Sequence, residues 1–258
     1  MTNNQAKTGS KQKPAKSKSV VREYTEAILI ALALALFIRT FIIQAFKIPS
    51  GSMKDTLLIG DHLLVAKFKY GIHIPNEIPF FGHKLFDDHT LFQKVPERFD
   101  IIVFKFPKDE KRDFIKRVIG LPGETVEIRG QKVYIDGKIV DDSFTRHNVP
   151  PGDFQLNLDY TCPAAIPNDT KSFMDATNAL TKKYFTDRRN YPGDNICPVK
   201  IPEGRVFVMG DNRENSEDSR FWGFVDIRKI RGKALVIYWS WDREKSWVRF
   251  DRFADVIR

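Results

Sequence analysis

One run of apolar residues constrains this chain more than anything else in it. In "EYTEAILIALALALFIRTFIIQAF" the twenty residues Ala27–Phe46 are interrupted only by Arg39, Thr40 and Gln44. As a helix rising 1.5 Å per residue they would extend about 30 Å, the thickness of a hydrocarbon core. A core helix of a soluble protein would carry a polar stripe of helical period, and none runs between Ala27 and Ile38. Arg39 lies near the far end, where its stem can reach the interface. A basic stretch ahead of the run Ala27–Ile38 also fits a cleavable signal peptide, but the run lacks an Ala-x-Ala at its end and reads "FIIQA" instead. The residues predict an uncleaved, single-pass anchor over 23–46 behind a basic tail over 1–22.

The formal charge of +9 invites a nucleic-acid reading. Six of those charges sit in the tail, as Lys7, Lys11, Lys13, Lys16, Lys18 and Arg22, with no acid among them. Cations ahead of a membrane helix place the N-terminus in the cytoplasm and everything after the helix on the exported side. No helix-turn-helix, zinc-finger or aromatic RNA-binding pattern accompanies the tail, so nucleic acid is not an expected partner.

Beyond the anchor the chain reads as mainly β. "DHLLVAKF" and "DIIVFKF" are strand-like, and "TVEIRGQKVYIDGKIV" alternates through expected turns at Arg129-Gly130 and Asp136-Gly137. "RVFVMG", "WGFV" and "KALVIYW" follow later. Residues 141–203 dissolve into Pro, Gly, Asn and Asp, the composition of an insertion. The expected architecture is a single transmembrane helix, then a coiled antiparallel catalytic domain of residues 47–140 and 204–258, interrupted by a loop-rich subdomain over 141–203. Both cysteines, Cys162 and Cys197, fall in that insertion, where an oxidising compartment favours a bridge. The five histidines show no metal-ligand spacing, and "DNRENSED" fails as a calcium loop because Arg213 stands where an oxygen ligand is needed. No cofactor or metal is expected.

Acyl transfer needs a nucleophile, a base and donors for the oxyanion. No histidine or cysteine lies in a recognisable hydrolase context, which leaves a Ser-Lys pair. "IPSGSMKDTL" places Ser50 and Ser52 around a glycine just past the anchor; alone, the tripeptide would be a simple turn after Pro49. In "RDFIKRVIGLPGETV", strand alternation puts Lys116 on the face of Phe114 and Val118, and Arg117 on that of Ile115 and Ile119. A lysine in apolar company is poorly solvated, so its neutral amine becomes accessible. Alternation alone does not choose between the two cations.

"IPSGSM…GD", "RFDIIVFKFP", "FIKRVIGLPGE" and "GDNRENSEDSRFWGFV", in this order behind an anchor, resemble the boxes of the bacterial type I signal peptidases, or leader peptidases. The resemblance runs from about Gln44 to Tyr238. It implies a membrane-anchored, mainly β serine endopeptidase of the bacterial inner membrane that removes signal peptides from exported preproteins. On the matching positions Ser52 would be the nucleophile and Lys116 the general base. The Ser50 hydroxyl and the Ser52 N–H would form the oxyanion hole. Ser216 would orient the lysine amine, with Asp218 and Arg220 as a supporting ion pair. The family binds its substrate as an added strand between segments matching Ala45–Pro49 and Asp113–Ile115. Ile48, Pro49, Met53, Leu57, Phe114 and Ile115 would then line shallow pockets for small side chains. Signal peptides and the lipid bilayer are the implied partners, with the protein-export channel a further candidate. Many Gram-negative relatives have two membrane helices where this chain offers one. The Phe-rich "IPFFGHKLFDDHTLF" matches no box and reads as a core-covering loop or an apolar surface that dips into the bilayer. Alternative readings are a conjugation-type maturation peptidase with the same dyad and a catalytically silent membrane-anchored binding module. A third, the self-cleaving SOS-type repressor, conflicts with the anchor.

Overall fold

The computed structural model describes residues 20–73, 90–147 and 195–258. Two units divide the chain, one ending at Ile38 and the other running from Arg39 to Arg258. In the first, α1 (Val20–Phe37) has no buried residue, and Ile28, Leu29, Ile30, Leu32 and Leu34 all stand exposed. A π-helical turn, Ile38–Ile42, continues it, so that Val20–Ile42 is long and apolar enough to cross a bilayer.

The helical run ends earlier than the sequence suggests. Residues 43–46, expected as the end of the anchor, belong to strand β1 (Ile43–Lys47), which pairs with β2 (Asp61–Ala66) from Ile43↔Ala66 to Lys47↔His62. A continuous apolar run fits a buried helix and a strand equally, so periodicity could not find this boundary. The short pair β3 (Ile72–His73) and β4 (Thr90–Leu91) follows. Most of the Phe-rich segment, through residue 89, lies outside the described residues.

The remaining strands build two antiparallel sheets. They are β5 (Ile101–Phe106), β6 (Asp109–Gly120), β7 (Thr125–Arg129), β8 (Lys132–Ile135), β9 (Lys138–Ile139), β10 (Ile196–Lys200), β11 (Arg205–Met209), β12 (Val225–Asp226), β13 (Ile230–Asp242), β14 (Trp247–Val248) and β15 (Asp255–Val256). The large sheet runs β1-β2-β13-β5-β6-β11-β12, with β14 and β15 also on β13; the small one runs β10-β7-β8-β9. β5 is apolar without alternation because both its faces are covered. Ile101 and Val103 join a core of Leu63, Val65, Ile115 and Ala234, while Ile102 and Phe104 join Val118, Val206, Val208 and Trp222.

Two details differ from the sequence reading. Arg129 pairs with Lys132, so the first meander turn is Gly130-Gln131, one residue later than expected. That turn (φ 52° and 71°) and Asp136-Gly137 (φ 48° and 76°) place both central residues in the left-handed region, as the twist-matched hairpin turn requires. The end of the expected insertion also belongs to the catalytic fold. Ile196, Cys197, Val199 and Ile201 are buried against Val126, Ile128 and Phe207, and β10 pairs with β7. The Pro- and Asn-rich composition before it hid a strand whose partner lies far upstream. Cys197 is disulfide-bonded; Cys162, its expected partner, lies outside the described residues.

Candidate active site

After β1 the backbone N–H of Ile48 donates to the Asp61 carbonyl at 2.8 Å, and Pro49, which has no N–H, ends the pairing. The chain turns through Ser50-Gly51-Ser52, with Lys54 N–H donating to the Gly51 carbonyl at 3.0 Å and Leu57 N–H to Met53 at 2.7 Å. Met53 and Leu57 have no exposed surface and sit with Ile48 in the core beside Leu63 and Ile115. Each such burial contributes about 1.5–3 kcal/mol, which fixes the turn to the sheet. Ile48, Met53 and Leu57, expected to line substrate pockets, are thus buried in the core behind the turn. Of the expected lining residues, Pro49, Phe114 and Ile115 do face a cleft of about 690 Å³, together with Ser50, Ser52, Lys116, Ser216 and Glu217. Among the described residues no histidine lines it.

Lys116 and Arg117 are adjacent on β6 and both buried, yet they meet different partners. Lys116 Nζ lies 2.6 Å from Ser52 Oγ and 5.4 Å from the Phe114 ring centre. Burial pushes its pKa down to about 8, opposed by Asp218, Glu217 and Asp211 and assisted by Arg220. At pH 7 roughly one amine in ten is then neutral, against about one in three thousand for a solvated lysine. Arg117 instead donates to both oxygens of Asp211, at 2.9 and 2.7 Å, and to the Phe99 carbonyl, with its guanidinium 4.1 Å from the Phe144 ring centre. The choice that alternation left open is made by what each side chain reaches.

The loop after β11 closes the site from the other side. Asp218, fully buried, accepts from Ser216 Oγ at 2.7 Å, from Gly210 N–H at 3.0 Å and from Arg220 on both oxygens. Burial raises its pKa, but the charge and hydrogen bonds of Arg220 outweigh that and hold it below the ordinary carboxylate value. Ser216 therefore spends its proton on Asp218, and its oxygen faces the same cleft as Lys116. Several residues of this loop went unassigned in the sequence although they sit in a quoted box. Asp211 accepts from Thr56 Oγ1 at 2.6 Å as well as from Arg117. A Cβ on Gly210 would fall 2.2 Å from Ser216 Oγ and 2.5 Å from the Ser52 carbonyl. The described start of the expected insertion is also attached here, through Arg146 N–H to the Asp211 carbonyl and Arg213 N–H to the Arg146 carbonyl.

A hydroxyl in contact with a desolvated amine, in an open cleft on a β scaffold, is what acyl transfer requires of a nucleophile and its base. Residues 21–239 match the family described as signal peptidase, peptidase S26, and the chain belongs to that family. A signal peptidase I from Pseudomonas aeruginosa is 34% identical, with 86% of this chain and 74% of that one covered. One from Aquifex aeolicus is 35% identical, over 85% of this chain and 84% of its own. A solved signal peptidase I from Enterococcus faecalis is 30% identical and covers 54% of this chain and 97% of that one, with a TM-score of 0.34.

Proposed function

We propose that this chain is a membrane-anchored serine endopeptidase that removes signal peptides from exported preproteins, with Ser52 as nucleophile and Lys116 as general base. The 2.6 Å approach of a buried amine to a cleft hydroxyl carries the reading. As the neutral amine, Lys116 takes the Ser52 proton while Oγ attacks the scissile carbonyl. The oxyanion then accepts from the Ser52 N–H and the Ser50 hydroxyl. Lys116 returns its proton to the leaving amine, and the same amine deprotonates the water that hydrolyses the acyl-enzyme. Ser216, held by Asp218 and Arg220, orients the amine.

The substrate lies extended between residues 45–49 and 113–115. What supports this is that β1 ends the sheet and that residues 113–115 pair with β5 alone, so both segments offer unpaired edges. Phe114 and Ile115 meet its side chains. The six cations ahead of Val20–Ile42 favour an inner-membrane enzyme with a cytoplasmic N-terminus and its catalytic domain outside. The export channel is a reasonable neighbour, and nucleic acid has no role in this scheme. Detergent-solubilised protein should cut several unrelated preproteins at their signal peptides, and Ser52→Ala should cut none. Cleavage restricted to one dedicated substrate would favour the maturation peptidase; cleavage of none by the wild type would leave only a binding module.

A further inference from the structure

Asn212 is nearly fully buried and holds the nucleophile turn at two successive carbonyls. Its side-chain Nδ2 donates to the Gly51 carbonyl at 2.9 Å, and its backbone N–H donates to the Ser52 carbonyl at 3.1 Å. The Gly51 carbonyl belongs to the same peptide plane as the Ser52 N–H. In a trans peptide the two groups point in opposite directions, so fixing one aims the other. That carbonyl accepts from Lys54 N–H as well, at 3.0 Å, so two donors restrain the plane. The Ser52 N–H itself donates to no acceptor among the described residues. Only the donor half of the Asn212 amide is used among the described residues, where its buried Oδ1 has no hydrogen-bond partner. A buried amide retained for one N–H, with its oxygen left unpaired, is costly unless that N–H has a task.

Building on the Ser-Lys reading above, we propose that Asn212 is a positioning residue for the oxyanion hole, aiming the Ser52 N–H at the substrate oxygen by anchoring the Gly51 carbonyl. Donation onto the carbonyl also polarises the peptide and strengthens its N–H as a donor. The effect falls on the transition state, where the oxyanion forms, and not on the bound substrate.

The test uses the full-length protein in detergent with a peptide that spans a signal-peptide cleavage region. Asn212→Leu keeps the side-chain bulk and the backbone bond to Ser52 but removes the donor. Misplacing a reacting group by about 1 Å can cost ~10²-fold, so a fall in kcat of about 10- to 100-fold is expected, with KM within about twofold. The pH at which the rate rises should not move, because Lys116 is untouched. Affinity for a peptide aldehyde, whose hemiacetal carries the oxyanion, should fall by the same factor as kcat, while affinity for the product peptide stays constant. If the leucine variant shows no cooperative thermal transition, Asn212→Ser, too short to reach Gly51, is judged by the same criteria. Wild-type kcat in a folded variant would overturn the assignment, as would a loss carried by KM or by product affinity, or a shifted pH midpoint. Ser52→Ala separates the dyad from the positioning role. If it stays active, the dyad itself fails; if it is dead while Asn212→Leu is unaffected, only the positioning role fails.

Discussion

Lys116 draws its chemistry from its neighbours more than from its own identity. With a pKa near 8, the fraction of neutral amine climbs through the neutral range, so kcat should rise with pH along one limb with a midpoint near 8. Histidine substitutions should leave that limb in place; loss of the limb on replacing any one histidine would contradict the dyad. Lys116→Arg should be nearly inactive despite conserving charge, because guanidinium cannot accept the serine proton. Ser52→Ala and Lys116→Ala act on one unit, so the double variant should be scarcely worse than either single one, and multiplicative losses would argue against a pair. The same shift has a cost in stability. An unfolded chain keeps the proton up to about 10.5, whereas the folded chain gives it up near 8. Between those values the unfolded state binds more protons, so stability rises with pH across that window and carries its full penalty below it. Lys116→Met should flatten that rise and stabilise the protein at neutral pH by roughly 3 kcal/mol, measured by denaturant titration at pH 7 and 10. The origin of this was legible beforehand in the parity of Phe114, Lys116 and Val118. Asn212 was not, because a hydrogen bond from position 212 to position 51 leaves no local pattern.

At the level of elements, what was readable followed the reach of each signal along the chain. Strands β5 and β7 to β9 were visible because alternation, apolar runs and Gly-containing turns act over a few residues. β10 was not, since its register depends on β7 about seventy residues upstream, and the end of the anchor was not, because Ile43–Phe46, broken only by Gln44, continues the apolar run of the helix before it. Lys116 and Arg117 show the same limit: one strand places two cations on opposite faces, and only the elements packed there distinguish the proposed base from an ion pair. The loop after β11 is where these elements meet. Ala at position 210 would have to displace both Ser216 and the Ser52 carbonyl, the second of which is backbone and cannot yield cheaply. Gly210→Ala should therefore lower kcat by about 10²-fold or more while costing only about 1–3 kcal/mol of stability. Wild-type turnover in that variant would mean that the loop adjusts freely and does not set the site. Asp211→Ala, which strands the Arg117 guanidinium, should act chiefly on stability, by about 3–5 kcal/mol.

For the molecule as a whole, the question is what the apolar helix adds to a catalytic unit with its own core. The unit from Arg39 to Arg258 contains all three buried clusters and every residue assigned a role above. The helix has no buried side chain of its own. We propose that its contribution is to the encounter: a preprotein and its peptidase held in one bilayer would meet at a high effective concentration and in a restricted orientation. A chain beginning at Ile43 retains β1 and its pairing with β2, so it should fold and hydrolyse a soluble peptide with kcat within about twofold of the full chain. On preproteins reconstituted in vesicles it should be slower by a large factor, and the deficit should shrink when detergent disperses both partners. A second cut, beginning at Ile48, removes β1 and with it an edge of the proposed substrate cleft, so it should lose activity on the soluble peptide as well. Equal rates for the full chain and the Ile43 chain on vesicle-bound preproteins would show that the helix has no part in the encounter, whatever the chemistry at Ser52.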